Sequence, residues 1–245
     1  MSNILKVKGI VLSVFPLGEN DKNLTILTRE RGKIQVVSRG CRRTNHPLFA
    51  ASNEYIYGEF VIAEGRTMKY LNSAEIHMSF SNLRDSFERI CYSSYFCELA
   101  SWFTMEGQDE RDILNLLYLT FLALGKNLLP YPLIRRIFEL KILQCHGIGL
   151  QSLFCVHCGK TENLSYLSFE EGGVLCEDCR QVAGSREMDP QVLFVLQFLE
   201  SCRMNEIYSF TLKEETFLEF EWIVKRFFHT HVGHRFRSEQ MLEMV

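Results

Sequence analysis

Through the first third of the chain, branched and aromatic residues alternate with polar ones, in short runs cut by glycine-containing turns. Lys6–Phe15, Leu24–Thr28, Lys33–Ser38, Tyr55–Ala63 and Met68–Ile76 each have this character. Breaks fall at Pro16-Leu17-Gly18, Arg31-Gly32, Gly40 and Glu64-Gly65. A side-chain period of two, with residues that pack on a pleated surface, predicts strands. Five strands in roughly 75 residues suit a small closed barrel of the OB kind over residues 1–79, with a two-sheet sandwich as the other topology open to them.

From Asn82 the apolar period lengthens to three and four. Leu83, Phe87, Ile90, Cys91, Ser94 and Tyr95 mark an inward helical face reaching about Trp102. A second helix, apolar on nearly every side, is expected over 109–125, and a third over 133–145 ahead of His146-Gly147. Asp189-Pro190 joins an N-cap to a proline at the first helical position and so starts a fourth. A last helix runs from Glu214 to about His231, with Phe217, Phe220, Ile223, Val224 and Phe227 inward. The expected fold class is therefore α+β: a barrel over 1–79, then a helical domain over 80–245, interrupted at 153–188.

That interruption carries the strongest chemical signal. Cys155-Val156-His157-Cys158-Gly159 is followed by Cys176-Glu177-Asp178-Cys179, with seventeen residues between Cys158 and Cys176. Two residues between thiolates let each pair wrap one metal ion, and Gly159 suits the tight turn after the second sulfur. Tyr166–Phe169 and Val174-Leu175, split by Gly172-Gly173, read as a hairpin between the two knuckles. Cys155, Cys158, Cys176 and Cys179 are thus expected to bind one structural Zn²⁺ as a zinc ribbon, four protein ligands leaving no open position for catalysis. Cys41, Cys91, Cys97, Cys145 and Cys202 have no such spacing and are expected to be core or incidental thiols.

Composition changes this picture in two ways. No apolar run approaches the roughly 20 residues of a membrane-spanning helix, and the first residues lack the order of a signal peptide. A cytoplasmic, nucleoid-associated protein with reduced thiols is the expectation, with no membrane partner. Charge is unevenly spread: residues 1–72 hold eleven Lys/Arg against six Asp/Glu, and the remainder sixteen against twenty-four. A basic front on an acidic body points to an anionic partner for the N-terminal part. Lys22, Lys33, Arg39, Arg42 and Arg43 lie on neighbouring strand ends and connections, and Tyr55, Tyr57, Phe60 and Tyr70 are candidate base-stacking faces. A second cluster, Lys225, Arg226, Arg235 and Arg237 with three histidines, is a candidate for an acidic peptide tail or a further DNA surface. Its plainer reading is favourable charge at a helix C-terminus.

These segments resemble the bacterial RecO family. The resemblance is carried in chain order by Gly9–Leu12, Gly18–Lys22, Thr28–Lys33, Gly40–Arg43, Tyr57–Phe60, Ala74–Ile76, Arg136–Leu140, the first cysteine knuckle, Glu170–Cys176 and Gly233–Ser238. It implies an OB-fold and a helical domain with an inserted zinc module. It also implies binding of single- and double-stranded DNA, annealing of complementary strands, and contact with the acidic tail of single-strand-binding protein. With RecR, such a protein would help load RecA onto DNA coated by that protein, in recombinational repair. By the same resemblance, DNA contact falls on Lys22, Lys33, Arg39, Arg42 and Arg43. Thr44-Asn45-His46-Pro47 departs from a stretch that is often more basic in relatives.

Catalysis finds little support. No histidine is followed two places on by glutamate, and there is no His-Glu-x-x-His. Gly159-Lys160-Thr161 imitates the end of a phosphate-binding loop, but its required first glycine is Phe154. The chain is expected to bind rather than catalyse. The alternative is a zinc-ribbon protein-interaction module without direct DNA contact.

Overall fold

The computed structural model describes residues 3–245. The chain divides into two compact units, one of residues 1–126 and 235–245, the other of 127–234.

In the first unit, five strands close into a barrel: β1 (Asn3–Leu17), β2 (Asp21–Thr28), β3 (Gly32–Ser38), β4 (Ile56–Glu64) and β5 (Lys69–Ser79), ordered β1-β2-β3-β5-β4. Neighbours are antiparallel except β3 and β5, which meet in parallel at Val37 and Tyr70. The open alternative of two packed sheets is thereby replaced by the OB-type barrel. The predicted strands are all present, each within a few residues of its expected ends. Val7, Val11, Leu24, Ile26, Ile34, Val36, Phe60 and Ile62 fill the interior. β1 serves two neighbours, pairing with β2 and β4, and its ladder slips between Val11 and Ser13. Gly9 and Gly58 face each other across the β1–β4 ladder. A Cβ on Gly9 would lie 2.3 Å from the Leu27 carbonyl, and one on Gly58 2.3 Å from that of Glu75. Only hydrogen fits there.

Helices α1 (Phe87–Phe103) and α2 (Arg111–Gly125) pack with this barrel. Ser86 caps α1 by accepting from the Arg89 N–H, so the helix starts later than the period at Asn82 implied, after a 3₁₀ turn over Ser81–Arg84. Phe87, expected inward, is exposed, because the cap places it on the outer side of the first turn. Cys91, Cys97 and Tyr95 are buried as expected. The C-terminal helix α3 (Arg237–Leu242) packs on α1. Glu98 accepts from the Arg237 and Ser238 N–H groups, and Phe236 meets the edges of Tyr95 and Trp102.

The second unit holds α4 (Tyr131–Cys145), α5 (Pro190–Ser201) and α6 (Glu214–His231). The Asp189 carboxylate caps α5 through the Gln191 N–H, as its sequence predicts. A buried ion network ties α4 to α6. Glu139 accepts from Arg135 and Arg136, each at 2.7 Å, and Arg136 reaches Glu221 at 2.9 Å. Between α4 and α5 lies a small sheet of β6 (Leu164–Ser168), β7 (Gly173–Cys176) and β8 (Ser185–Glu187), ordered β7-β6-β8. Its hairpin is the predicted one; the short third strand is new. No helix among the described residues is long and apolar enough to cross a membrane.

Candidate nucleic-acid interface and metal centre

Strand pairing brings the basic residues of the barrel together. Lys22, the second residue of β2, stands opposite Ser38, so it adjoins the loop that begins at Arg39. That loop, 39–54, has no regular structure but is firmly held. Cys41, Leu48 and Ala51 are buried, the Ser38 and Ser52 hydroxyls lie 2.7 Å apart, and the Asp21 carboxylate accepts from the Gly40 N–H. The Lys22 ammonium donates to the Ser52 carbonyl and the Asn53 side chain at 2.9 and 3.0 Å. Its first task is therefore to pin the loop to β2. Arg39, Arg42 and Arg43 are left on the outside. Arg42 reaches the Gly18 carbonyl at 3.2 Å, while the Arg43 side chain has no partner among the described residues. The Arg39 guanidinium lies 3.9 Å from the Tyr70 ring centre, and this cation–π stack presents a flat, charged face.

Beside this loop the outer faces of β2 and β3 form a groove of about 560 Å³. Asn23, Lys33, Gln35 and Val37 make its floor, because alternate residues of a strand share a face. Thr67, Met68 and Lys69, from the β4–β5 connection, make one wall, and Thr104–Glu106 another. Segment 104–107 is held against the start of β3, the Lys33 N–H donating to the Met105 carbonyl and the Gly107 N–H to that of Arg31. Lys33 donates to the Ser101 carbonyl, and burial lowers its pKa below the ordinary lysine value. Lys69 pairs with Glu106 at 2.6 Å. The groove thus carries two ammonium groups, each tethered by one contact within the unit.

The candidate stacking rings divide. Phe60 is wholly buried in the barrel, and Tyr55 packs edge-on against Phe121, so neither can receive a base. Both were expected as candidates because strand parity shows which residues share a face, not which face is inside. Tyr57 leans on Tyr118, and Tyr70 is covered by Arg39. Of the second basic cluster, Lys225 and Arg226 are exposed on α6 in the second unit, while Arg235 and Arg237 are exposed in the C-terminal segment of the first.

The four knuckle cysteines converge as their spacing predicts. Their sulfurs all lie within 4.8 Å of one another, with Cys158 and Cys176 3.6 Å apart. Gly159 takes the left-handed conformation, φ +78°, and its N–H returns to the Cys155 carbonyl. Burial works against a Cys155 thiolate, but N–H groups of Cys176, Cys158 and His157 outweigh it and bring that thiol down to about 6. Cys179 goes the other way, pushed up to about 12 by burial and by the neighbouring sulfurs. One sulfur ionises readily and the last resists, so a bound cation is what would let all four serve as thiolates. The donor set fits a metal ion. His157 points elsewhere, its ring 3.8 Å from the Glu171 carboxylate.

A closed OB-type barrel with a basic loop and groove, in a chain that also carries helices and a four-cysteine module able to hold a metal ion, defines a two-unit α+β protein of the OB class. Family models agree. The one described as Recombination protein O N terminal matches residues 1–80, and the one described as Recombination protein O C terminal matches 84–240. The chain belongs to this RecO family. It is similar to the DNA repair protein RecO of Alkaliphilus metalliredigens, 30% identical over 94% of each chain. It is 29% identical to that of Clostridium acetobutylicum over 99% of this chain and 98% of the relative. Against that of Caldicellulosiruptor saccharolyticus it is 40% identical over 72% of each.

Proposed function

We propose that this chain acts in DNA repair and recombination by binding single- and double-stranded DNA across the barrel and annealing complementary strands. The observation that carries this reading is the exposed Arg39-x-x-Arg42-Arg43 edge beside a groove whose floor and wall include Lys33 and Lys69. Arginines on phosphates release counterions, which gives affinity without sequence preference. The Arg39 plane, fixed by Tyr70, can stack on an unpaired base. Lys22 acts mainly by holding the loop in place. Exchangeable contacts of this kind screen the repulsion between two strands while leaving their base edges free to pair.

The partners follow the family resemblance: RecR, the acidic tail of single-strand-binding protein, and through them RecA, in the cytoplasm. Lys225, Arg226, Arg235 and Arg237 are the candidates for the acidic tail or for further DNA. In the four-cysteine module we place one Zn²⁺. At about 2.3 Å from each sulfur, a tetrahedral zinc needs sulfur–sulfur edges of about 3.8 Å; Cys158 and Cys176 are 3.6 Å apart and all four sulfurs lie within 4.8 Å of one another. The role of the ion is to hold a module whose own core is small, built on Cys155, Leu175 and Cys176 with a few half-buried neighbours. The protein works by binding and not by turnover.

The test is annealing of complementary oligonucleotides coated with single-strand-binding protein, using the wild-type chain and the Arg39→Glu, Arg42→Glu, Arg43→Glu variant. The variant should lose annealing and DNA affinity while keeping its melting temperature. Unchanged annealing would instead favour a protein-interaction module without DNA contact.

A further inference from the structure

We propose a second single-stranded nucleic-acid contact in the other unit, built from Arg186, Trp222, Arg226 and Phe169. It extends the DNA-binding reading, although its residues share nothing with the barrel.

The four residues come from the small sheet and from α6. Arg186 is the middle residue of β8, opposite Leu167 of β6, and Phe169 directly follows β6. Trp222 and Arg226 are one turn apart on α6, with Lys225 beside them. Phe169 and Trp222 meet edge to face at 5.6 Å. The Arg186 guanidinium lies 4.3 Å from the Trp222 ring centre, and that of Arg226 lies 4.8 Å from Phe169 and 5.5 Å from Trp222. Both arginines are exposed, and Trp222 keeps 38% of its surface open.

Neither guanidinium has a carboxylate partner among the described residues, although acids are close in sequence. Glu171 faces His157, Glu219 accepts from the Asp189 N–H, and Glu221 is taken by Arg136. Two unpaired arginines held flat on aromatic rings offer two things at once: positive charge for phosphates, and planar cations and an indole for unstacked bases. An acidic peptide would use the charge but not the planes, which is why single-stranded nucleic acid is the better fit. A contact on this unit, separate from the barrel, gives one chain two places to hold strands that are to be paired.

The chain has two tryptophans, Trp102 and Trp222, so Trp102→Phe makes fluorescence a report on Trp222 alone. In that background, oligo(dT) should quench Trp222 saturably, in step with anisotropy of the labelled strand. Adding Arg186→Gln and Arg226→Gln should weaken binding by about fivefold or more, and lower the log–log salt slope by about 1.4, at about 0.7 per phosphate contact on single strands. Trp222→Phe, which keeps a ring, should retain more affinity than Trp222→Ala. The proposal is overturned if Trp222 stays silent while anisotropy shows full binding. It is equally overturned if a poly-aspartate peptide quenches Trp222 and oligo(dT) does not. Combination with the barrel charge reversals separates the two readings. Residual Trp222 quenching there supports the second contact, whereas binding lost from the barrel variant with Trp222 silent throughout removes this proposal alone.

Discussion

The Glu139 network allows a sharp test of how the second unit is held together. Its carboxylate is wholly buried and accepts from Arg135 through one oxygen and Arg136 through the other. Arg136 is itself buried; burial opposes its charge, and Glu139 with Glu221 keeps it protonated. Glu139→Gln keeps the shape but removes the charge, and turns one acceptor into an NH₂ group aimed at a guanidinium. Breaking a buried pair in this way costs about 3–5 kcal/mol. The lower end applies here, because Arg136 keeps Glu221 at 2.9 Å and Arg135 retains some contact with water. About 3 kcal/mol in a unit of this size corresponds to a melting temperature lower by on the order of 10 °C. The assay is urea and thermal unfolding by circular dichroism, with Arg136→Met, Glu139→Leu as the companion variant. Removing both charges takes away their desolvation cost together with their attraction, but deprives Arg135 of Glu139 and Glu221 of Arg136, so the double variant should recover only part of the loss. A Glu139→Gln cost below about 1 kcal/mol would refute the placement of a charged carboxylate between the two arginines.

Four further outcomes are expected. In the proposed DNA-binding mode, charge reversal at Arg39, Arg42 and Arg43 should lower the salt slope on single strands by at least about 2, for three lost phosphate contacts; a slope unchanged from wild type counts against the barrel edge. Gly58→Ala should destabilise the barrel by more than about 1 kcal/mol, since its Cβ would meet the Glu75 carbonyl at 2.3 Å, and denaturant unfolding measures this. Metal removal by a chelator should raise hydrogen exchange across 153–188 while leaving barrel amides protected, as mass spectrometry would show; equal loss in both regions would contradict a local role. Burial holds the Lys141 pKa below its usual 10.5, so between that lowered value and 10.5 the unfolded chain binds more protons. Its contribution to stability therefore rises with pH through that window, and the rise should vanish in Lys141→Met when stability is followed against pH.

Much of the molecule was legible because its signals are local. The five strands follow from a period of two, the helices from a period near 3.6, and the α5 start from Asp189-Pro190. The clustering of the four cysteines was equally plain, since two residues between cysteines set the geometry of a knuckle whatever surrounds it. What could not be read depends on contacts between distant residues. No local pattern shows that the Lys22 ammonium donates to Ser52 and Asn53 across the barrel loop. Phe60 and Tyr55 looked like stacking rings, and the closed barrel turned one into core while the other packs on Phe121.

By itself the sequence determined the elements, the OB-type strand set, the basic front and the two paired-cysteine knuckles, all of which are set by neighbours within a few positions. Only the tertiary structure decided which charges remain open to a partner. Arg186 and Trp222 are a clear example, since no spacing links them and they meet only because β8 folds back beside α6. Charge counts along a chain do not include the carbonyls and carboxylates that the fold brings to each cation, and those decide which cations are left free to act.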